Sequence, residues 1–311
     1  MNTDMIFGLK DNIGKVIVGK DQVVELALCA LIANGHVLLE DVPGTGKTVL
    51  AKSIAASAGI PFERIQFTPD LLPTDITGLN IVNVSDGKFS FHQGPVFTSI
   101  LLADEINRAT PRTQAGLLEC MEERQVTVDG VTRKLPDPFF VIATQNPVET
   151  AGTFPLPEAQ LDRFMMKLSM GFPTQDEEKK ILERAITGDR LKMLEAVVSA
   201  EDILEWKKEA MLVKVHDQLL SYITDIVKAT RSRSDIVAGV SPRGSIALLR
   251  CAQALAYIRG RDYVVPEDIK ELAVPVLAHR LIIQNAFGQS SKSGDIILKI
   301  LNEVPVPTEE F

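Results

Sequence analysis

A parallel α/β sheet domain followed by an all-helical domain is the architecture that this 311-residue sequence predicts. Three observations predict it. Three short apolar runs each end in polar residues: His36-Val37-Leu38-Leu39-Glu40 before a glycine loop, Ser99-Ile100-Leu101-Leu102-Ala103 before Asp104-Glu105, and Phe139-Phe140-Val141-Ile142-Ala143 before Thr144-Gln145-Asn146. Continuous apolar runs of this length suit strands buried on both faces. Helical patterns lie between them, at 23–34, 48–58 and 113–123, and that alternation marks a layered α/β domain. After Gly171-Phe172-Pro173 the patterns are helical, at 176–186, 200–210, 215–230, 243–258 and 267–281. The expected division is an α/β core over 1–173 and a helical domain with its tail over 174–311.

The remaining elements have local signals. Asp86-Gly87, between 80–84 and 88–91, and Asp129-Gly130, between 125–128 and 131–133, are hairpin turns flanked by alternating residues. They read as either working loops or surface decoration. Thr174 with Glu177, and Ser199 with Asp202, have the spacing of helix capping boxes. The stretch 288–294 is polar and expected to be loose, and 295–302 to form a last amphipathic helix.

Composition narrows the function classes. The chain is 45% hydrophobic and 24% charged with a net charge of -8, so it can bury a large core. There is no dense run of Lys and Arg, which argues against a nucleic-acid-binding face. Cys29, Cys120 and Cys251 are far apart and read as small buried hydrophobes, and the four histidines lack metal-ligand spacing. The start of the chain has no cationic segment leading into an apolar run, and no apolar run approaches the roughly 20 residues that span a bilayer. A cytoplasmic protein without membrane insertion is expected.

In open α/β sheets, ligands bind beyond the carboxyl ends of the strands, so the three polar strand endings converge on one edge. The first is Glu40-Asp41-Val42-Pro43-Gly44-Thr45-Gly46-Lys47-Thr48. A phosphate cradle needs backbone N–H groups at a helix N-terminus with no side chain in the way. Pro43, Gly44, Thr45 and Gly46 would form it, Lys47 would reach the outer phosphates, and the Thr48 hydroxyl would hold Mg2+. The usual pattern, G-x-x-x-x-G-K-[ST], asks for glycine at position 41, where this chain has aspartate. That glycine marks the strand-to-loop turn and does not itself wrap the phosphates, so Asp41 need not disable the loop. At the second ending, Asp104 stands where a magnesium-organising acid belongs, and Glu105 where a base would polarise the attacking water. At the third, Asn146 could orient water or the γ-phosphate.

VPGTGKT, LLADEINRA, VIATQNP, EAQLDRF and GVSPRGSIALL, in this order and spacing, resemble the AAA+ ATPases, most closely the MoxR family of the helix-2-insert clade, over about residues 5–287. The resemblance implies a P-loop AAA+ parallel-sheet core with a C-terminal helical lid. It implies Walker A at Gly44 to Thr48, Walker B at Asp104 and Glu105, and sensor 1 at Asn146. The hairpins are similar to the helix-2 insert and the hairpin before sensor 1. An acidic residue at the position of Asp41 is tolerated in such loops. Arg163 matches the arginine finger, which reaches the γ-phosphate of a neighbouring subunit; the bland reading is an ion pair with Asp162 or Glu158. Arg243 matches sensor 2, acting in its own subunit or across the interface. It follows Ser241 and Pro242, which read as N-cap and first helical residue, so its charge opposes the helix dipole unless an anion meets it. The segment 16–20, with Val18 and Gly19, resembles the one lining the adenine pocket.

The resemblance further implies ATP and Mg2+ as ligands, a homo-oligomeric ring of hexameric habit, and a chaperone-like role in the maturation of protein complexes. The implied partners are a protein client and a separate polypeptide carrying a von Willebrand A domain. Two other readings are a nucleic-acid-acting motor, against which the acidic balance argues, and a nucleotide-gated scaffold with little turnover, against which Asp104, Glu105 and Arg163 argue.

Overall fold

The computed structural model describes residues 3–82, 88–148, 152–188, 190–283 and 289–307. Two helices, α1 (Thr3–Gly14) and α2 (Asp21–Ile32), precede the first strand, β1 (Val37–Glu40). Then follow α3 (Lys47–Ala58), β2 (Phe62–Gln66), α4 (Pro73–Thr77), β3 (Gly78–Val82), β4 (Phe89–Gln93), β5 (Ile100–Asp104), α5 (Pro111–Glu123), β6 (Gln125–Val128), β7 (Val131–Lys134), β8 (Phe140–Gln145), α6 (Glu158–Leu161) and β9 (Met166–Leu168). The main sheet is five-stranded in the order β2-β5-β8-β1-β9, and every pairing in it is parallel.

The three apolar runs are the central strands β5, β8 and β1, as their burial on both faces requires. Successive side chains point to opposite faces. Val37, Leu39, Ile100, Leu102, Phe140 and Ile142 join one apolar cluster, and Leu38, Leu101, Ala103, Val141 and Ala143 join a second. The first cluster packs beneath α1, α2, α3 and the helices of the second half; the second packs beneath α4 and α5.

The second half is α7 (Gln175–Thr187), α8 (Ala200–Ala210), α9 (Asp217–Ser232), α10 (Pro242–Ile258), α11 (Pro266–Leu277) and α12 (Gln289–Glu303), with a small ribbon of β10 (Ile236–Ala238) and β11 (Ile282–Ile283). Both capping boxes form, at Thr174–Glu177 and Ser199–Asp202. The expected loose stretch needs correcting: Gly288 lies outside the described residues, but Gln289 to Gly294 are the first turns of α12. Ile297 and Ile300 of that helix are fully buried, so its apolar face is secured by packing that the polar start does not reveal.

Both hairpins form, β3–β4 and β6–β7. The expected Asp86-Gly87 turn lies outside the described residues. The other turn has Asp129 at φ 50° and Gly130 at φ 76°, two left-handed residues matched to a two-residue hairpin. The hairpins are fastened to each other. Asn80 donates to Asp129 at 2.6 Å, and the Arg133 guanidinium lies 3.8 Å from the ring centre of Phe91.

Candidate active site

The order of the strands sets the site. β1 lies beside β8, β8 beside β5 and β5 beside β2, so the glycine loop, Asn146 and the acid pair leave the sheet along one edge. Gly44 and Gly46 have φ of 86° and 92°, a region that side chains rarely enter, and Gly46 caps α3 without a side-chain hydrogen bond. A Cβ at Gly44 would meet nothing within 4 Å, so open space stands over the loop. Backbone donors at the start of α3 facing such a space suit a phosphate group. Lys47 folds back over the loop, its Nζ donating to the carbonyls of Asp41 at 2.7 Å and Val42 at 2.9 Å. Burial lowers its pKa, while Asp41, Asp104 and Glu105 pull the other way.

Asp41 has a structural role. Its carboxylate is buried and accepts three hydrogen bonds, from Ser169 Oγ at 2.7 Å, the Met170 N–H at 2.6 Å and the Gly171 N–H at 3.1 Å. It is not among the residues of left-handed φ, so the backbone there does not need glycine. The side chain that replaces the pattern glycine ties the loop to the strand exit after β9.

The acid pair is held by groups that the sequence did not single out. Thr144, buried on β8, donates to Asp104 Oδ1 at 2.6 Å and accepts the Glu105 N–H at 2.8 Å. One hydroxyl therefore sets both acids. Glu105 has φ 56°, a left-handed conformation of the kind that collects at functional sites. Arg64 on β2 donates to Asp104 Oδ2 at 2.6 Å through Nη2 and 3.1 Å through Nε. Gln66 donates to Glu105 Oε2 at 2.8 Å, and Arg108 lies 3.1 Å from the same oxygen. The signal for Arg64 and Gln66 was their i, i+2 spacing on one face of a strand, but Phe62–Gln66 is a mixed edge strand with no apolar run to reveal it. Asn146 Oδ1 accepts the Val148 N–H at 3.1 Å, a local turn at the end of β8. Next to Val18 and Gly19, Lys20 Nζ donates to Phe172 O at 3.0 Å and lies 3.8 Å from the Glu177 carboxylate in the first turn of α7. The oxygens of Thr48 and Asp104 are the hard donors Mg2+ prefers, and Asp104 keeps a side chain only 13% exposed.

Arg163 and Arg243 stand elsewhere. Arg163 precedes β9, whose Met166 pairs with Val37 at the start of β1. Its Nε lies 3.2 Å from Glu122 Oε2, and Arg243 Nη1 lies 3.1 Å from Glu122 Oε1. Glu122 is in the last turn of α5, where Arg124 donates to Asn34 O and Phe139 O, just before β1 and β8 begin. The pair of arginines thus sits at the amino edge of the sheet. The glycine loop sits at the carboxyl edge, a strand length of ~13 Å away for four residues. The bland alternative for Arg163, an ion pair with Asp162 or Glu158, is corrected in its partner: the carboxylate it meets is that of Glu122. Asp162 instead accepts from Arg280 Nε at 2.7 Å and Ser241 Oγ at 3.2 Å. Ser241 is the N-cap of α10 by backbone conformation but spends its hydroxyl on Asp162.

Residues 36–166 match the family model of the ATPase family associated with various cellular activities (AAA), and residues 228–300 match the AAA lid domain. The Chaperone MoxR1 of Mycobacterium tuberculosis is 42% identical over 94% of this chain and 80% of its own length. The chain belongs to the MoxR family of AAA+ ATPases. The YeaC protein of Bacillus subtilis is 49% identical over 96% of this chain and 94% of its own. A crystal structure of a Cytophaga hutchinsonii protein, described as a candidate ATPase, superposes with a TM-score of 0.90 at 41% identity, over 98% of this chain and 96% of that one. The α/β P-loop core and C-terminal helical lid are therefore those of a MoxR ATPase. Among the described residues, no helix is long and apolar enough to cross a membrane.

Proposed function

We propose that this MoxR-family chain hydrolyses ATP with Mg2+ at sites shared between subunits of a homo-oligomeric, hexameric ring, and that the ring remodels a protein client together with a separate von Willebrand A domain protein. The observation that carries the shared site is the split between the two edges of the sheet. Lys47, Thr48, Asp104, Glu105 and Asn146 stand at the carboxyl edge, and Arg163 and Arg243 at the amino edge, too far for either to reach its own glycine loop.

The glycine loop and α3 N-terminus would receive the phosphates of ATP, with Lys47 exchanging its two carbonyl contacts for a phosphate oxygen. Mg2+ would be held by Thr48 and Asp104 and would supply charge neutralisation at the phosphates. Glu105, its backbone set by Thr144, would accept the proton of the attacking water, and Asn146 would orient that water. Arg163 and Arg243 from the neighbouring subunit would meet the negative charge that spreads over the γ-phosphoryl group.

Specific ATPase activity measured against protein concentration tests this reading. Activity per subunit should rise as the ring assembles. Arg163→Ala should lower turnover by about 1000-fold or more while leaving nucleotide binding intact. Turnover that is flat with concentration and unchanged by the substitution would mean that each subunit works alone.

A further inference from the structure

We propose that Glu122 is a positioning residue that builds Arg163 and Arg243 into one clamp for the phosphates of a nucleotide on a neighbouring subunit; this rests on the shared-site reading above. The three side chains come from three distant places: the last turn of α5, the segment before β9, and the first turn of α10. Each carboxylate oxygen of Glu122 takes one guanidinium, at 3.2 and 3.1 Å. Without it, two positive groups stand side by side and repel.

The helix dipoles sharpen the point. An anion in the last turn of α5 and a cation in the first turn of α10 are each at the wrong end of their own helix. They are right only for each other. The three side chains are 30%, 37% and 44% exposed for Arg163, Glu122 and Arg243, and pairs that open to solvent add little to stability. Fold stability therefore does not account for placing two charges against their helices. Contact through Nε occupies one edge of the Arg163 guanidinium and leaves the other geometrically able to meet a phosphate. The recess beside it, about 480 Å³, also carries Glu119 and Glu123. Arg163 is the one cation among its lining residues, which narrows the approach of a phosphate to that point.

The test is subunit mixing with the full-length protein. Glu122→Ala has an intact nucleotide site and a disordered clamp; Lys47→Ala has an intact clamp and no phosphate lysine. Glu122→Ala alone should lose roughly ten- to a hundredfold in turnover, the scale of a misplaced catalytic group, with ATP affinity unchanged. Glu122→Gln, which keeps the shape but not the charge, should also lose turnover. Mixing either with Lys47→Ala subunits should restore activity, because the neighbour now supplies the ordered clamp. Arg163→Ala goes through the same mixing. If Arg163→Ala is not restored by Lys47→Ala subunits, the shared-site reading falls and this proposal with it. If Arg163→Ala is restored but Glu122→Ala has wild-type turnover, or a deficit that mixing does not mend, the role of Glu122 alone is overturned.

Discussion

The buried carboxylate of Asp41 accepts the Met170 N–H at 2.6 Å, so the glycine loop is bound to the chain that leaves β9 toward the lid. The aspartate that breaks the usual loop pattern is a staple. Asp41→Gly would restore the pattern and remove the staple, leaving the N–H groups of Met170 and Gly171 without their acceptor. A loss of about 2–6 kcal/mol is expected, since buried donors left unsatisfied cost about 1–3 kcal/mol each. Asp41→Asn, which retains one acceptor oxygen, should lose less. Urea denaturation decides it; a glycine variant as stable as wild type would show that the staple is not structural.

Thr144 is the single hydroxyl behind both acids. Thr144→Val keeps the shape but strands Asp104 Oδ1 and the Glu105 N–H. We expect a loss of about 1–3 kcal/mol in stability and a roughly ten- to hundredfold drop in turnover from misplaced acids. Thr144→Ser should restore both. If valine turns over ATP as fast as threonine, the hydroxyl does not set the acids.

Arg280 of the lid holds the base of the proposed finger. Only 3% of its side chain is exposed, and it donates to Asp162 Oδ1, Phe164 O at 2.8 Å and Met165 O at 3.3 Å, and to Val276 O within its own segment. Arg280→Met would leave Asp162 without its cation, with the Ser241 hydroxyl as its remaining side-chain donor, and would remove the guanidinium from these carbonyls. Breaking a buried pair from one side costs about 3–5 kcal/mol. The same substitution should reduce turnover more than nucleotide binding, because Arg163 follows Asp162 directly. Equal stability in thermal unfolding would contradict the arrangement.

Two buried imidazoles make folding sensitive to acid. His36 donates through Nε2 to Met121 O at 3.1 Å and accepts the Val141 N–H on Nδ1 at 3.0 Å, so the neutral ring fits. Burial pushes it down to about 3, and the charges of Arg124 and Lys207 add to this. His279 is lowered as well, by burial first and Arg280 second. In the unfolded chain both bind a proton below about pH 6.5. The folded chain resists that proton, for His36 until about pH 3. The contribution of His36 is therefore full above pH 6.5 and falls as the pH drops, by about 1.4 kcal/mol per pH unit, and His279 acts in the same direction. His36→Gln, which still offers a donor and an acceptor, should flatten the fall between pH 7 and pH 5 in urea unfolding. Parallel profiles for the two proteins would refute the assignment to His36.

The local parts of this molecule were legible in the sequence. Strands β1, β5 and β8 announce themselves as apolar runs because both their faces are buried. The glycine loop is readable because Gly44 and Gly46 must adopt a left-handed backbone, and α7 and α8 because their caps lie three residues from their partners. Helix α1 and strands β2 and β9 were not read. Phe62–Gln66 has one buried residue, and Met166–Leu168 is too short to carry a period.

What tertiary structure alone decided is which distant groups meet. The staple from Asp41 crosses 129 positions to Met170, Arg64 reaches Asp104 across 40, and Arg243 reaches Glu122 across 121. Sequence signals are read from spacing along a helix or strand, and contacts of this range have no such spacing. They are set by the order β2-β5-β8-β1-β9, which brings β2 beside the acid pair and β9 beside the loop. The chemistry of each residue proposed to face a phosphate was written locally. Its partners, and the separation of the arginines from the loop by a strand length, were fixed by packing.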